Sequence, residues 1–279
     1  MSDEMTALQS EEDSHWWFAS RTRALLGLLD REVVENNLRV LDVGCGAGNM
    51  ILHLSRYGSV MGIDNNPVPL EIAHLRGYDA RLAQAEDMPF EDESFDLVTT
   101  LDVIEHSDDD LRILRECHRV CANGGLVAIT VPAFQWLWSH NDVINDHKRR
   151  YSRSQLRARL TQAGFDVRRM TYNNCFIFPV AAPLILARRR AEKEPELATP
   201  STDQGAYQVE MEPTSPPVNA ILRGVGRLEA AVLRATDLPF GTSIICIASK
   251  GTQATDREVQ PPQRASGRQP EHTRPSERE

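Results

Sequence analysis

Acids and glycines at close spacing mark the corner of this 279-residue chain where ligand chemistry is legible. In the run RVLDVGCGAGNM (39–50), Asp42 precedes Gly44, Gly46 and Gly48, which fall at every second position. Glycines in such a turn permit positive φ and let a ligand approach the backbone closely. A second acid, Asp64, ends an apolar stretch and can accept both hydroxyls of a ribose, with Asn65 behind it. A third acidic group, Glu86-Asp87-Met88, follows the short apolar stretch 80–83. Imidazoles are the other chemical resource. His106, His140 and His147 are candidates for a general base, a role that histidine fills near neutral pH.

These residues need a frame. Val40, Leu41 and Val43 form an apolar, β-branched run of the kind buried on both faces of a parallel sheet. Residues 48–57 have helical spacing through Met50, Ile51 and Leu54. Further strands are expected near 59–63, 80–83, 95–100, 126–131 and 165–171, and helices near 67–76, 108–120 and 155–163. Asn123-Gly124-Gly125 reads as the stop of the 108–120 helix. Such alternation predicts a parallel sheet covered on both faces. The glycine spacing then narrows the ligand. A dinucleotide turn requires Gly-x-Gly-x-x-Gly, but Asn49 stands where the third glycine belongs, and no P-loop lysine follows.

Asp42, the three glycines and Asp64 together resemble the class I S-adenosylmethionine-dependent methyltransferases, over 38–165 plus a last strand near the C-terminus. The resemblance implies an α/β fold: a Rossmann-like, doubly wound seven-stranded sheet, mostly parallel with an antiparallel last strand, plus a helical insertion or cover. It implies S-adenosylmethionine as cofactor. Asp42, Gly44, Cys45, Gly46, Gly48 and Asn49 would surround its methionine part, and Asp64 and Asn65 its ribose. Glu86, Asp87 and Met88 would flank the adenine. Leu101, Asp102, Val103 and His106 would contribute from FDLVTTLDVIEH (95–106), which looks like the fourth strand and its loop.

A subgroup of that family shares the His-Trp-Trp-Phe start at 15–18 and the HKRRY string at 147–151. Within it, His147, Arg150 and Tyr151 would face the site. Trp16, Trp17 and Arg21 read either as packing residues or as a lid over the substrate, where an indole can stabilise a sulfonium. The segment 132–151, with Trp136, Trp138, His140 and His147, is the expected acceptor-recognition region on the carboxyl edge of the sheet. The implied reaction is methyl transfer to a small-molecule acceptor, O-methylation of a natural-product or lipid-like metabolite, with N-methylation as the alternative. A non-catalytic S-adenosylmethionine-binding protein and a NAD-dependent oxidoreductase stay open. The sequence at 100–106 (TLDVIEH) lacks the Asn/Asp-Pro-Pro-Tyr type motif, which weakens a DNA or protein-glutamine substrate.

A net charge of −9 argues against a nucleic-acid partner. Five scattered cysteines read as reduced thiols of a cytoplasmic protein. Cys117, His118 and Cys121 lack a second ligand pair, and His140, Asp142, Asp146 and His147 match no standard ligand spacing, so no metal is expected. The acidic N-terminus reads as no signal peptide, and no apolar run reaches membrane-spanning length. The expected organisation is a disordered 1–14, a helical lid at 15–37, the core at 38–174, and an inserted 175–241 containing a flexible linker at 192–217. A final strand at 242–250 and a disordered tail at 251–279 follow. The apolar stretch 175–187, followed by three arginines, reads as a buried helix, a helix on an anionic membrane, or the wall of a pocket for a greasy acceptor. Peripheral membrane contact and a homodimer both remain open.

Overall fold

The computed structural model describes residues 13–191 and 214–251. Its centre is a seven-stranded sheet of β1 (Leu38–Val43), β2 (Gly58–Asp64), β3 (Ala80–Leu82), β4 (Phe95–Leu101), β5 (Cys121–Pro132), β6 (Phe165–Asn173) and β7 (Ser243–Lys250). The spatial order is β3-β2-β1-β4-β5-β7-β6. The first five strands pair in parallel, and β7 runs antiparallel between β5 and β6. The strand order reverses between β1 and β4, and open α/β sheets bind ligands outside the carboxyl ends of strands at such a switch.

Side chains alternate across a strand, so each central strand feeds two cores. Leu41, Val43, Val98 and Ile129 point to a face covered by α4 (Asp110–Val120) and α6 (Arg153–Gln162). Val40, Leu97 and Ala128 point to the other, beneath α1 (Trp16–Glu32) and α2 (Asn49–Leu54). Both faces being apolar explains why β1, β4 and β5 read as continuous hydrophobic runs. The helix α3 (Pro67–Leu75) completes the β2–β3 crossover, with Asn66 capping its N-terminus and proline at its start.

Three local expectations need correction. The helix α4 ends at Val120, where the Cys121 N–H returns to Cys117, and Asn123-Gly124-Gly125 belong to the span of β5 instead of to a helix stop. Pairing of Cys121 with Phe95, ahead of a register shift, extends the ladder through them. The linker expected at 192–217 is overrun at its end by α8 (Pro216–Leu233), which starts with proline in its first turn. The apolar stretch after β6 forms α7 (Phe178–Ala191), but it is not a buried helix: Val180 is 73% and Leu184 51% exposed. Most of the expected linker, the N-terminal residues 1–12 and the tail beyond 251 lie outside the described residues.

The N-terminal helix and the inserted helix were read from the sequence as separate covers. They pack together. Asn219 of α8 accepts from the Trp16 N–H (2.8 Å) and donates to the Ser14 carbonyl (2.9 Å), and Arg223 donates to the same carbonyl. At the other end of α8, buried Glu229 accepts from the N–H groups of Asn174 and Phe176 and so anchors the helix beyond β6. Among the described residues, no helix is long and apolar enough to cross a membrane.

Candidate active site

The turn after β1 is set by backbone geometry. Gly44, Gly46 and Gly48 all adopt positive φ, at 72°, 53° and 83°. A Cβ on Gly44 would stand 2.4 Å from Val103 Cγ2, so the loop after β4 can close over the turn only if position 44 is glycine. The Gly44 and Cys45 N–H groups both donate to the Ile63 carbonyl, while Gly46 donates to Asp64 Oδ2 at 2.8 Å. Asp64 Oδ1 accepts from the Asn66 N–H at 2.9 Å. These two bonds fix the carboxylate and leave lone pairs on each oxygen for a ligand.

The turn opens into a cleft of about 260 Å³ at the strand-order switch. Gly44 and Asp64 line one side, Ala83, Ala85 and Glu86 another, and Asp102, Val103 and His106 a third. Arg21 reaches in from α1 to pair with Asp102, and its guanidinium lies over the Trp17 and Phe18 rings at 4.8 and 5.4 Å from their centres. Arg21 Nε is buried and unpartnered, a donor held ready for an anionic group. Glycines that free the backbone, an oriented carboxylate for a diol and a spare guanidinium donor for a carboxylate fit the amino acid and ribose parts of S-adenosylmethionine. At the dinucleotide-binding glycine position, Asn49 Oδ1 instead accepts from Arg76 Nη1 at 2.6 Å.

Imidazoles meet beyond Asp102. The His106 and His147 rings pack edge to face with centres 4.7 Å apart. Partial desolvation of His106, and next the His147 ring, hold its pKa below the ordinary value. His147 Nδ1 is 2.9 Å from Asp142 Oδ1. Asp142 is fully buried and also accepts both a forked bond from Arg150 and the Ser139 N–H. Glu105 brings a carboxylate oxygen within 4.8 Å of both histidines; it is fully buried, with neither carboxylate oxygen in a hydrogen bond. Burial, with Asp102 adding its charge, pushes the Glu105 carboxyl well above the usual range.

Other expected site residues fall elsewhere. Met88 is 3% exposed and packs in the core beside Phe95, its N–H donating to Glu116, so it does not flank the cleft; Asp87 is on the surface. Cys45 packs toward Gly62, while Gly48 lies against Tyr78. Leu101 is in the α1-side core. Tyr151 is buried and donates to Asp110, and Arg150 is spent on Asp142, so neither faces the cleft as the subgroup resemblance implied. Trp16 is tied to α8, and His140 begins α5 (His140–Ile144), with Trp138 just before it. Trp136 joins an aromatic group with Phe134 and Phe178. The cleft also uses Ile63, Ala83, Ala85, Ser107 and Ile113, apolar or small residues that carry no chemical signal in a sequence.

Asp42 sits behind the turn, 2% exposed, its Oδ1 accepting from the Thr99 hydroxyl at 2.6 Å. Burial pushes its pKa up to about 6 against the pull of Thr99 and Arg21. A carboxyl raised in the folded state contributes fully below its unfolded pKa, near 4, and that stability is lost as pH rises through about 6. At about 1.4 kcal/mol per pKa unit, the Asp42→Asn variant is expected to exceed wild type in stability by about 3 kcal/mol at pH 8 and to converge with it near pH 4. Urea melts at both pH values test this; a gap that is the same at both would contradict it.

A mostly parallel sheet of this order, with its glycine turn, acid-tipped second strand and antiparallel β7, defines the class I methyltransferase fold. Residues 41–129 match the family described as "Methyltransferase domain". The matched residues run from β1 into β5 and include the glycine turn, Asp64 and the loop after β4. The ubiquinone biosynthesis O-methyltransferase of Pseudomonas aeruginosa (strain LESB58) is 36% identical over 103 residues, 33% of this chain and 43% of the relative. That of Hahella chejuensis is 36% identical over 107 residues, 36% and 45%. The chain thus spans less than half the length of these curated relatives. Among solved structures, the [4+2]-cyclase SpnF has a TM-score of 0.54 at 21% identity, covering 85% of this chain and 82% of its own. An S-adenosylmethionine-dependent methyltransferase from Mesorhizobium loti has a TM-score of 0.50 at 16% identity, covering 81% and 97%. At these identities the structures share the fold, and a fold hosts more than one chemistry.

Proposed function

We propose that the protein is an S-adenosylmethionine-dependent methyltransferase that methylates a hydroxyl of an apolar small molecule. The observation that carries this reading is the imidazole of His106, which lines the cleft together with Asp102 and whose pKa is held below the ordinary value. S-adenosylmethionine, when bound, supplies an electrophilic methyl group on a sulfonium sulfur, so the protein mainly has to align the acceptor and deal with its proton. Asp64 and the glycine turn hold the ribose and amino acid ends. Asp102 is kept in place by Arg21. His106 receives the hydroxyl proton at its ring nitrogen as the oxygen becomes nucleophilic.

The apolar character of the acceptor is supported by an aromatic group built on the segment after β5. Phe134 stacks on Tyr172 and Trp136, with Phe178 and Phe240 continuing the group toward the exposed Val180 and Leu184 of α7. This is also the face on which the protein would meet a membrane holding such an acceptor. The name of the relatives, which gives O-methylation in ubiquinone biosynthesis, agrees with an oxygen acceptor.

The test is product formation. The full chain, incubated with S-adenosylmethionine and a panel of alkyl-substituted phenols, catechols and amines, is assayed for methylated product by mass spectrometry. Methyl ethers, with the apolar acceptors turned over best, are expected. Methylamines alone would replace the oxygen reading with N-methylation, and no product with any class from folded, cofactor-binding protein would overturn catalysis.

A further inference from the structure

We infer that Glu105, His106 and His147 form a site for one divalent transition-metal ion at the acceptor end of the cleft. One ligand atom from each lies within 4.8 Å of the other two. Two imidazoles and a carboxylate that leave positions open make a donor set suited to Zn²⁺ and related ions. This deepens the methyltransferase reading and rests on it for what the ion would do.

Four features point to a cation rather than to packing. The Glu105 carboxylate is fully buried with both oxygens unpartnered, which is costly for any carboxyl that has no cation or donor to meet. It is aimed at the histidines, which supply no hydrogen bond to it. One imidazole is also held from behind, His147 by Asp142. Outer partners of this kind orient metal-ligating histidines and fix which nitrogen is left to bind. Finally, the open side is accessible: His106 is exposed and lines the cleft.

Bonds of about 2.1 Å place tetrahedral ligand atoms roughly 3.5 Å apart. Binding therefore draws the three donors inward by about 1 Å, within the reach of rotation at His106 and His147. An acceptor hydroxyl on the open position would lose its proton to solvent more readily, because a bound cation favours the oxyanion. His106 would then serve as a ligand, and solvent in place of the imidazole would take the proton of the cation-bound hydroxyl.

The experiment uses the full chain after chelator treatment, titrated with Co²⁺ as a spectroscopic probe and with Zn²⁺ by calorimetry. One ion per chain is expected, with visible cobalt absorption. His147→Ala and Glu105→Gln should each weaken binding by at least about a hundredfold, and Asp142→Asn by about ten- to a hundredfold through loss of the outer partner. S-adenosylhomocysteine binding, measured on the same samples, should persist in His147→Ala, which keeps the cleft lining intact. Folded wild type that binds neither ion, or variants that bind as tightly as wild type, would overturn the site. Metal binding with no S-adenosylhomocysteine binding would uphold the site and overturn the methyltransferase reading instead.

Discussion

Replacing Asp64 with alanine is expected to weaken S-adenosylhomocysteine binding by more than about a hundredfold. Asp64 is the acid best placed for the ribose diol, and a hydrogen bond to a charged group contributes about 1.5–3 kcal/mol. The same carboxylate accepts the Gly46 N–H and so also holds the glycine turn in its binding shape. Both losses act on the same ligand, and neither removes apolar core. Asp64→Asn keeps one acceptor oxygen and should recover part of the affinity. Calorimetric titration, with a thermal melt to establish folding, checks this. Affinity within tenfold of wild type in Asp64→Ala would mean that the cofactor's ribose is held elsewhere.

Asp142→Asn should be the most destabilising of the site variants. Burial alone would push the Asp142 carboxyl up, but hydrogen bonds from His147 and Arg150 bring it down to about 2. Removing the charge leaves Arg150, whose side chain is 10% exposed, without its anion. Breaking a buried pair from one side costs about 3–5 kcal/mol, which for a chain of this size lowers Tm by roughly 10 °C. The depressed pKa also fixes a pH signature. Its stabilisation is present above the unfolded value, near 4, and is lost as pH falls toward 2. The gap between wild type and variant should therefore close in acid, as at Asp42, but with wild type and not the variant the more stable at neutral pH. A gap that stays constant from pH 7 to pH 3 would mean that Asp142 acts through shape and not through charge.

The cofactor corner was legible because its parts are local. A buried strand, a glycine turn and a helix follow one another in the chain, and the acid at the end of β2 is one crossover away. Legibility failed where a short turn decides direction. Gln84 and Asp87 bridge to each other, and Met88 is sent into the core although its neighbour Glu86 lines the cleft. It failed again for the histidines. His147 reaches His106 because the Lys148 N–H donates to the Glu105 carbonyl (2.7 Å) and Arg149 to the Ser107 carbonyl (2.9 Å), contacts between loops that no periodicity encodes. Ligand spacing along the chain therefore gave no metal site, whereas the fold gathers three donors. Arg150 and Tyr151 show the converse: residues that look reactive in a string are committed to Asp142 and Asp110.

The helices α1 and α8 approach so closely that a Cβ on Gly226 would lie 2.0 Å from Ser20 Oγ. Ser20 immediately precedes Arg21, which holds Asp102 at the cleft. Over sequence drift, position 226 is thereby bound to the history of position 20: a larger residue in one requires a smaller one in the other, or the guanidinium shifts. A cover helix that is far from the cofactor in the chain thus inherits the constraints of the pocket, and a graft that exchanges it alone would bring along the wrong partner for Ser20.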